Sequence, residues 1–157
     1  MSKYEVVEKF VSINGEGTKA GQLAVFIRFK GCNLNCKYCD TKWANEQGTP
    51  SQPMTEKEIL DYVLSTGVKN VTLTGGEPLL REGIENVITV LAENNLNIEI
   101  ETNGSVYLDK IRKLHKENVT FTMDYKLSCS GMEAAMNLDI FDILNSNDTV
   151  KFVVGSR

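Results

Sequence analysis

The stretch Gly31-Cys32-Asn33-Leu34-Asn35-Cys36-Lys37-Tyr38-Cys39-Asp40-Thr41 contains three of the four cysteines of the chain. Disulfides use cysteines in pairs and need a specific separation, so three in one loop leave one over. A structural zinc ion normally takes four protein ligands, and an iron–sulfur cluster that only carries electrons takes four cysteines. Three neighbouring cysteines therefore favour a cluster with one iron left open to a small molecule, which is a catalytic arrangement.

A zinc loop is the alternative, and it would need a fourth ligand from elsewhere in the chain. The candidates for that ligand are Cys129 and His115. Cys129 is interpreted as an ordinary small residue, because a fourth cysteine ligand would close the site. The single histidine, His115, lies in a charged stretch that predicts an exposed helix, and we assign it no role.

The composition is that of an ordinary globular domain. The chain has 157 residues, of which 41% are hydrophobic and 24% charged, with a formal net charge of −4. This length allows a real core, and the negative charge offers no attraction to nucleic acid or to an anionic membrane. We expect neither a signal peptide nor a membrane span, and clustered free cysteines favour a reducing compartment. Residues 1–157 are therefore expected to form a single cytoplasmic domain.

Strand and helix patterns alternate along most of the chain. Strands are predicted over Tyr4–Ser12, which is irregular, and over Leu23–Phe29, Val68–Thr74, Leu96–Glu101, Val119–Asp124 and Thr149–Val154. Thr55–Glu58 is a capping box that opens one helix, and Gly67 ends it. Two further helices are predicted over 84–91 and 108–114, and Lys42–Pro53 is predicted to be a loop. Strands separated by helices of this length indicate βαβ units and a parallel sheet.

The predicted strands alternate between apolar and polar residues. One face would carry Val71, Leu73, Ile98, Ile100, Phe121 and Met123, and the other Thr72, Thr74, Glu99, Glu101, Asn103, Thr120, Thr122 and Asp124. Unpaired carboxylates cannot lie in a dry core, so the polar face is expected to line a wet or ligand-filled interior. The sequence therefore predicts an α/β fold, an open partial (β/α) barrel with a mainly parallel sheet. Ligands are expected at the carboxyl ends of its strands.

Two motifs together resemble those of the radical S-adenosylmethionine superfamily. Cys32, Cys36 and Cys39 have the spacing of its cluster loop. Tyr38 stands before the last cysteine, and Gly75-Gly76-Glu77-Pro78 is similar to the glycine-rich motif of the superfamily. The resemblance implies a 4Fe-4S cluster whose open iron binds S-adenosylmethionine. Reduction of the cluster then generates a 5′-deoxyadenosyl radical that abstracts hydrogen from the substrate, while the protein orients the cofactor.

Further stretches resemble the 7-carboxy-7-deazaguanine synthase family of the queuosine and 7-deazapurine pathway. They are Ser12–Gly17, Phe26–Leu34, Cys39–Thr41 and Glu101–Gly104. The family converts 6-carboxy-tetrahydropterin to 7-carboxy-7-deazaguanine by radical ring contraction with loss of ammonia, assisted by Mg²⁺. The resemblance therefore implies a lyase that binds a small pterin and takes electrons from a donor such as flavodoxin or ferredoxin.

Site residues carry over from this family by position. The cluster ligands would be Cys32, Cys36 and Cys39, and Thr41 would offer its hydroxyl to Mg²⁺, a hard cation that suits oxygen. The S-adenosylmethionine contacts would be Tyr38, Cys39, Asp40, Gly76, Asn103, Asp124, Tyr125 and Lys126. The substrate contacts would be Ile13, Asn14, Gly15, Arg28 and Thr74. The catalytic residues stay unknown.

Arg28 is expected to pair with the substrate carboxylate through a planar, bidentate fork. The alternative for this side chain is a salt bridge to a barrel carboxylate such as Glu16 or Glu101.

Two features depart from the family pattern. Asn14 stands where the family more often has Gln, which shortens the reach of the amide. Family members usually continue past a strand like Val150–Val154, so we expect a barrel shortened at its C-terminus, in a domain that is either minimal or truncated.

Two other functions stay open at this point. One is an activating enzyme of a glycyl-radical enzyme such as anaerobic ribonucleotide reductase, a class that lacks the Asn14–Gly17 loop and the Cys39–Thr41 ending. The other is a non-catalytic iron–sulfur or zinc-binding remnant. A homodimer is left open, and neither nucleic acid nor a membrane is an expected partner.

Overall fold

The computed structural model describes residues 2–114 and 117–155. The strands are β1 Tyr4–Ile13, β2 Leu23–Phe29, β3 Gln52–Met54, β4 Asn70–Gly75, β5 Asn97–Thr102, β6 Val119–Tyr125 and β7 Thr149–Phe152. The helices are α1 Glu56–Ser65, α2 Ile84–Glu93 and α3 Asp109–Leu114, with short 3-10 helices elsewhere. No helix in these residues has the length and apolarity needed to cross a bilayer. The prediction for His115 falls outside the described residues.

The strands form a single seven-stranded sheet with the order β3-β1-β2-β4-β5-β6-β7. β1 pairs antiparallel with β2 and with β3, and the pairings from β2 onward to β7 are parallel. Because β3 and β7 lie at opposite edges, the described part of the sheet does not close on itself. The predicted α/β fold, an open partial barrel with a mainly parallel sheet, is confirmed.

Helices α1 and α2 form as the sequence predicts and cover the apolar face of the sheet. The Thr55 hydroxyl accepts a hydrogen bond from the Glu58 amide, and the Glu58 carboxylate accepts one from the Thr55 amide. This capping box satisfies amide groups that the first turn leaves without partners. In α2, the side chains of Val87, Ile88 and Leu91 are fully buried, and burial of each contributes about 1.5–3 kcal/mol.

The alternation along the strands divides the sheet as predicted. The apolar set is at most 1% exposed and belongs to the core; it comprises Val71, Leu73, Ile98, Ile100, Phe121 and Met123. The polar set lines two cavities inside the curved sheet. Thr74, Glu101, Asn103, Thr122 and Asp124 line the larger one, and Thr72, Glu99 and Thr120 line the smaller one.

Two local predictions are wrong in part. The segment predicted as a loop, Lys42–Pro53, contains a 3-10 helix and runs into β3, which pairs with the start of β1. That pairing gives partners to backbone groups of β1 that a loop would leave at an open edge. β7 ends at Phe152, before the predicted Val154, because its pairing with β6 ends where β6 itself ends, at Tyr125.

Candidate functional site

A cavity of about 780 Å³ opens inside the sheet and reaches the carboxyl ends of its parallel strands. This volume is typical of a small-molecule site, and parallel α/β folds bind their ligands at this end. The cavity lining contains nearly all of the predicted site residues: Asn14, Gly15, Arg28, Cys32, Cys36, Tyr38, Cys39, Asp40, Thr41, Thr74, Gly76, Asn103, Asp124 and Lys126. The structure therefore brings together residues from across most of the chain.

Two predicted site residues, Ile13 and Tyr125, do not line this cavity. Ile13 ends β1 and is 64% exposed. The Tyr125 ring packs against Phe141 and Phe152, with centroids 5.9 and 5.6 Å apart. Successive residues of a strand point to opposite faces, so Tyr125 faces away from the side that Asp124 occupies. Both assignments stay predictions.

The cluster loop holds its three cysteines as free thiols at the cavity. Cys36 is buried, and Cys32 and Cys39 are half-buried. The Cys39 amide donates to the Cys36 carbonyl at 3.2 Å, and the Lys37 amide donates to the Ser130 carbonyl at 3.0 Å. The loop is therefore fixed both by its own turn and by the segment that follows β6.

The arrangement of side chains around the three thiols differs from that of a site for a single metal ion. Burial raises the pKa of Cys36, and the nearby ammonium of Lys126 partly opposes this rise. Among the described residues, no three His, Cys, Asp or Glu side chains converge for one ion. A zinc ion needs such convergence, whereas a four-iron cluster can take each cysteine on a separate iron.

The glycine-rich turn packs directly on the start of the cluster loop. The Gly76 amide donates to the Phe29 carbonyl at 3.1 Å, and the Glu77 amide donates to the Gly31 carbonyl at 3.0 Å. Any side chain at position 76 would overlap the Gly31 carbonyl and the Oδ1 atom of Asn45. Glycine is therefore required here by close backbone approach.

The Glu77 side chain connects this turn to β5 and the cluster loop. Its carboxylate is fully buried and accepts hydrogen bonds from the Leu79 amide (3.1 Å), the Thr102 hydroxyl (3.1 Å) and the Asn103 amide (2.7 Å). The Asn103 side chain in turn donates to Oδ1 of Asn33 at 3.1 Å. Sequence analysis identified Glu77 only as part of a motif and missed this role.

A chain of ion pairs connects four residues of the cavity lining. Oδ2 of Asp124 lies 2.6 Å from the Lys126 ammonium and 3.5 Å from the Lys151 ammonium. Lys151 also donates to both carboxylate oxygens of Glu16, at 3.0 and 2.8 Å. β7 is thereby joined to the loop after β1. Lys151 was not predicted, because only the curvature of the sheet brings the last strand opposite the first loop.

Arg28 forms an ion pair, but with neither of the two expected carboxylates. Its Nε atom donates to Glu8 at 2.9 Å, and Glu8 faces Arg28 in the antiparallel pairing of β1 and β2. The internal salt bridge of the predicted alternative is therefore present, but its carboxylate is Glu8 instead of Glu16 or Glu101. Within the described residues, the two terminal nitrogens of Arg28 make no hydrogen bond. They can therefore meet a ligand carboxylate end-on.

Glu101, Phe10 and Phe26 are among the further lining residues that were not assigned to the site from the sequence. The Glu101 carboxylate accepts a hydrogen bond from the Thr74 hydroxyl at 2.5 Å, and burial raises its pKa while that bond opposes the rise. The rings of Phe10 and Phe26 stack with centroids 5.1 Å apart. The alternation along β5 already predicted that Glu101 faces the interior of the barrel. Phe10 and Phe26 can be recognised as neighbours only when the register of the β1–β2 hairpin is known.

Several buried polar atoms of the lining have no hydrogen-bond partner among the described residues. They are the Tyr38 hydroxyl, Oδ1 of Asn45 and Oδ1 of Asp124. A buried polar atom left without a partner costs about 1–3 kcal/mol, so such atoms are expected contacts of a bound polar ligand. Together with the three thiols and the close-packed glycine turn, they fit a 4Fe-4S cluster and a cofactor that carries an amino-acid group.

The stability of this site should depend on pH through Glu77. Burial raises the pKa of Glu77 to about 7 from an ordinary value of 4.5, although its hydrogen bonds favour the carboxylate. Between these values the folded protein keeps a proton that the unfolded chain has lost. The contribution of this group to stability therefore falls as the pH rises from about 4.5 to about 7, by roughly 3 kcal/mol in total.

Urea unfolding of the wild type and of Glu77→Gln between pH 4.5 and pH 8 measures this effect. Glutamine does not titrate, so the stability of the wild type relative to the variant should decline across the range. A difference that stays constant with pH would contradict a raised pKa for Glu77.

Comparisons with known proteins agree with this geometry. The Radical SAM superfamily matches residues 26–126. The 7-carboxy-7-deazaguanine synthase of Clostridium acetobutylicum is 61% identical over 154 residues, which cover 98% of this chain and 69% of the relative. That of Methanospirillum hungatei is 36% identical over 156 residues, which cover 99% and 63%. The crystal structure of QueE from Escherichia coli has a TM-score of 0.78 at 25% identity and covers 98% and 72%.

These relatives favour the synthase over a glycyl-radical activase or a non-catalytic remnant. The chain spans 69% and 63% of the lengths of the two synthases. Superfamily membership implies a 4Fe-4S cluster and S-adenosylmethionine. The chain belongs to the 7-carboxy-7-deazaguanine synthase family of the radical S-adenosylmethionine superfamily.

Proposed function

We propose that this chain converts 6-carboxy-tetrahydropterin to 7-carboxy-7-deazaguanine with loss of ammonia. The observation that carries this proposal is one cavity lined both by three cysteines with free thiols and by Arg28. A pterin carboxylate can use that positive charge, whereas a backbone glycine of a protein substrate offers no charge to it. The cavity volume also suits a small molecule.

Residues around the thiols would hold the cofactors. Cys32, Cys36 and Cys39 would bind the 4Fe-4S cluster, and the lining atoms of Tyr38, Asp40, Gly76, Asn103, Asp124 and Lys126 would contact S-adenosylmethionine. When bound, the cluster and S-adenosylmethionine supply a radical that abstracts hydrogen from the substrate. The protein contributes orientation: Oδ2 of Asp124 is held by Lys126, while its Oδ1 and the Tyr38 hydroxyl, which have no hydrogen-bond partner among the described residues, remain for the cofactor.

Residues at the other side of the cavity would hold the pterin. Arg28 would bind its carboxylate through the two terminal nitrogens, while Nε keeps its bond to Glu8. Thr74, Asn14 and Gly15 line the same space, and the Thr74 hydroxyl, which donates to Glu101, can still accept a hydrogen bond. A planar ring can pack against the apolar surface of Phe10 and Phe26.

Mg²⁺ is a further proposal, with Thr41 as its ligand. The Thr41 hydroxyl lies 3.6 Å from the Cys39 sulfur. It makes no capping bond to the 3-10 helix that it precedes, which leaves the oxygen available to a hard cation.

Four other features are also proposals. They are a single domain over residues 1–157, a cytoplasmic location, a donor such as flavodoxin or ferredoxin, and a homodimer. One sheet with one core supports the single domain, and free thiols suit a reducing compartment. Gel filtration with light scattering measures the oligomeric state.

Anaerobic reconstitution with iron and sulfide tests the reaction itself. The wild type should cleave S-adenosylmethionine and release ammonia from the pterin. Cys32→Ala, Cys36→Ala and Cys39→Ala should lose both activities and the visible absorption of the cluster. Cys129→Ala is the matched control and should keep them, because Cys129 is exposed and lies outside the cavity.

Two outcomes would contradict the proposal. Cleavage of S-adenosylmethionine without any pterin conversion would refute the assigned substrate. Loss of the cluster in Cys129→Ala would refute a cluster with three cysteine ligands.

Removal of the Thr41 hydroxyl should weaken Mg²⁺ dependence. We expect Thr41→Ala to turn over more slowly and to respond little to added Mg²⁺, whereas Thr41→Ser keeps the oxygen and the response. Cluster absorption and S-adenosylmethionine affinity should not change in either variant. Equal wild-type rates in chelator and in Mg²⁺ would rule out this role.

Replacement of Arg28 should separate pterin binding from cofactor binding. A charge-assisted contact in a water-excluded pocket contributes about 1.5–3 kcal/mol, which is roughly tenfold or more in affinity. Arg28→Lys keeps the positive charge but loses the planar, bidentate fork. Pterin affinity should therefore be highest in the wild type, lower in Arg28→Lys and lowest in Arg28→Ala. The remaining Glu8 side chain is 40% exposed, so solvent can stabilise it.

Calorimetry on reconstituted protein measures these affinities, with S-adenosylmethionine as the internal control. Glu8→Gln is the matched variant, since it removes the ion pair but leaves the guanidinium. Pterin affinity that is unaffected in Arg28→Ala would contradict the assigned role.

A further inference from the structure

A second buried carboxylate lies below the site and takes no part in the proposed contacts. Glu99 is in the middle of β5 and only 4% exposed. It lines the smaller cavity of about 280 Å³, together with residues at the amino ends of β4, β5 and β6. Among the described residues, no lysine or arginine pairs with it.

The partners of this carboxylate are all neutral and come from three different elements. Oε1 accepts a hydrogen bond from the Thr122 hydroxyl of β6 at 2.5 Å. Oε2 accepts one from the Asn14 side chain and a longer one, at 3.5 Å, from the Thr72 hydroxyl of β4. A buried carboxylate needs such donors, so breaking this set would be costly.

Asn14 uses both ends of its amide group within the protein. Its Nδ2 atom donates to Glu99, its Oδ1 accepts from the Glu16 amide at 3.2 Å, and the residue is 2% exposed. Its backbone is equally occupied, because the Asn14 amide donates to the Gln22 carbonyl and the Gly21 amide donates to the Asn14 carbonyl, both at 2.8 Å. Asn14 is therefore the fixed base of the loop over residues 14–22.

The same loop contacts Glu99 at a second point. Gly17 has φ of +68°, and any side chain at this position would overlap the Glu99 carboxylate. Two glycine properties are needed here, the left-handed backbone and the absence of Cβ. The loop thus rests on Glu99 both through a hydrogen bond and through close packing.

We infer that Glu99 is a positioning residue that holds the 14–22 loop in place through its hydrogen bond with the side-chain amide of Asn14. We call this hydrogen bond the latch. The Asn14 amide therefore serves the latch instead of contacting the substrate. The loop then places Gly15 and Glu16, beside Asn14 itself, in the lining of the cavity. This inference rests on the proposed function for the identity of the substrate, but the latch itself can be measured without any ligand.

Hydrogen–deuterium exchange on the purified protein tests the latch. In Glu99→Gln, an NH₂ group replaces one carboxylate oxygen and faces the hydrogen-bond donors that this oxygen accepted from. In Asn14→Ala, the hydrogen bond to Glu99 is lost. Both variants should exchange the Asn14 and Gly21 amides at least tenfold faster than the wild type. The double variant should show no further increase, because the two side chains act through one bond.

Glu77→Gln is the matched control, since Glu77 is also buried and none of its hydrogen bonds reaches the 14–22 loop. Its loop exchange should stay at the wild-type rate, which separates the latch from a general loss of stability. Unchanged loop exchange in Asn14→Ala would overturn the inference even if Glu99→Gln fails to fold. Additive effects in the double variant would overturn it as well.

Kinetics of the reconstituted enzyme provide the second measurement. The KM for the pterin should rise at least tenfold in Glu99→Gln and in Asn14→Ala, with S-adenosylmethionine affinity unchanged. A faster-exchanging loop with an unchanged KM would overturn the positioning role. A wild type that binds no pterin would refute the proposed substrate, and the exchange data would still decide the latch.

Discussion

The buried carboxylate of Glu77 is the interaction on which the arrangement of the site depends. It lies where the glycine turn, the end of β5 and the cluster loop meet, and it takes backbone donors from the first two. Its burial costs free energy that its hydrogen bonds must offset. Asn103 connects Glu77 to the cluster loop. Its backbone amide donates to Glu77, and its side-chain amide contacts Asn33 and the Cys32 sulfur. The thiols and the glycine turn are thus held in one rigid frame.

The three cations of the cavity lining each pair with a carboxylate within the protein. Arg28 pairs with Glu8, Lys126 with Asp124, and Lys151 with Glu16. Two of these pairs leave polar atoms available: the terminal nitrogens of Arg28 make no hydrogen bond among the described residues, and Oδ1 of Asp124 has no partner there either. A zwitterionic cofactor and an anionic substrate can therefore add contacts without first breaking a buried pair, which would be strongly unfavourable.

Much of the lining of this site can be predicted from the two-residue alternation of side chains along a β-strand. Alternation along β4, β5 and β6 predicts which side chains face the interior, and the parallel topology predicts that strand ends meet at one edge. The same period separates the neighbours 124–126, since successive residues of a strand cannot place all their side chains on one face; the assignment of Tyr125 to the cofactor stays a prediction. Tyr125 accordingly packs against Phe152 and away from the cavity.

What the sequence does not contain is the pairing between distant elements. The partner of Arg28 depends on the register of the first hairpin, which includes an irregularity between Val6 and Glu8. The contact of Lys151 with Glu16 depends on how far the sheet curves before it reaches β7. The role of Asn14 depends on a carboxylate 85 residues away. None of these three pairings can be predicted from the local sequence around either partner.

The two attachments of the 14–22 loop differ in strength, and this difference indicates how the site can admit a ligand. The Glu16–Lys151 pair is about one-third exposed or more on both sides, and ion pairs of this kind contribute at most about 1 kcal/mol and weaken with salt. The Asn14–Glu99 bond is buried, so its loss would leave Oε2 of Glu99 with only the longer bond from Thr72. The outer part of the loop can therefore exchange its ion pair for a ligand while its base stays in place. Loop opening then needs only the weaker of the two contacts to break, and the position of Gly15 relative to the thiols is kept.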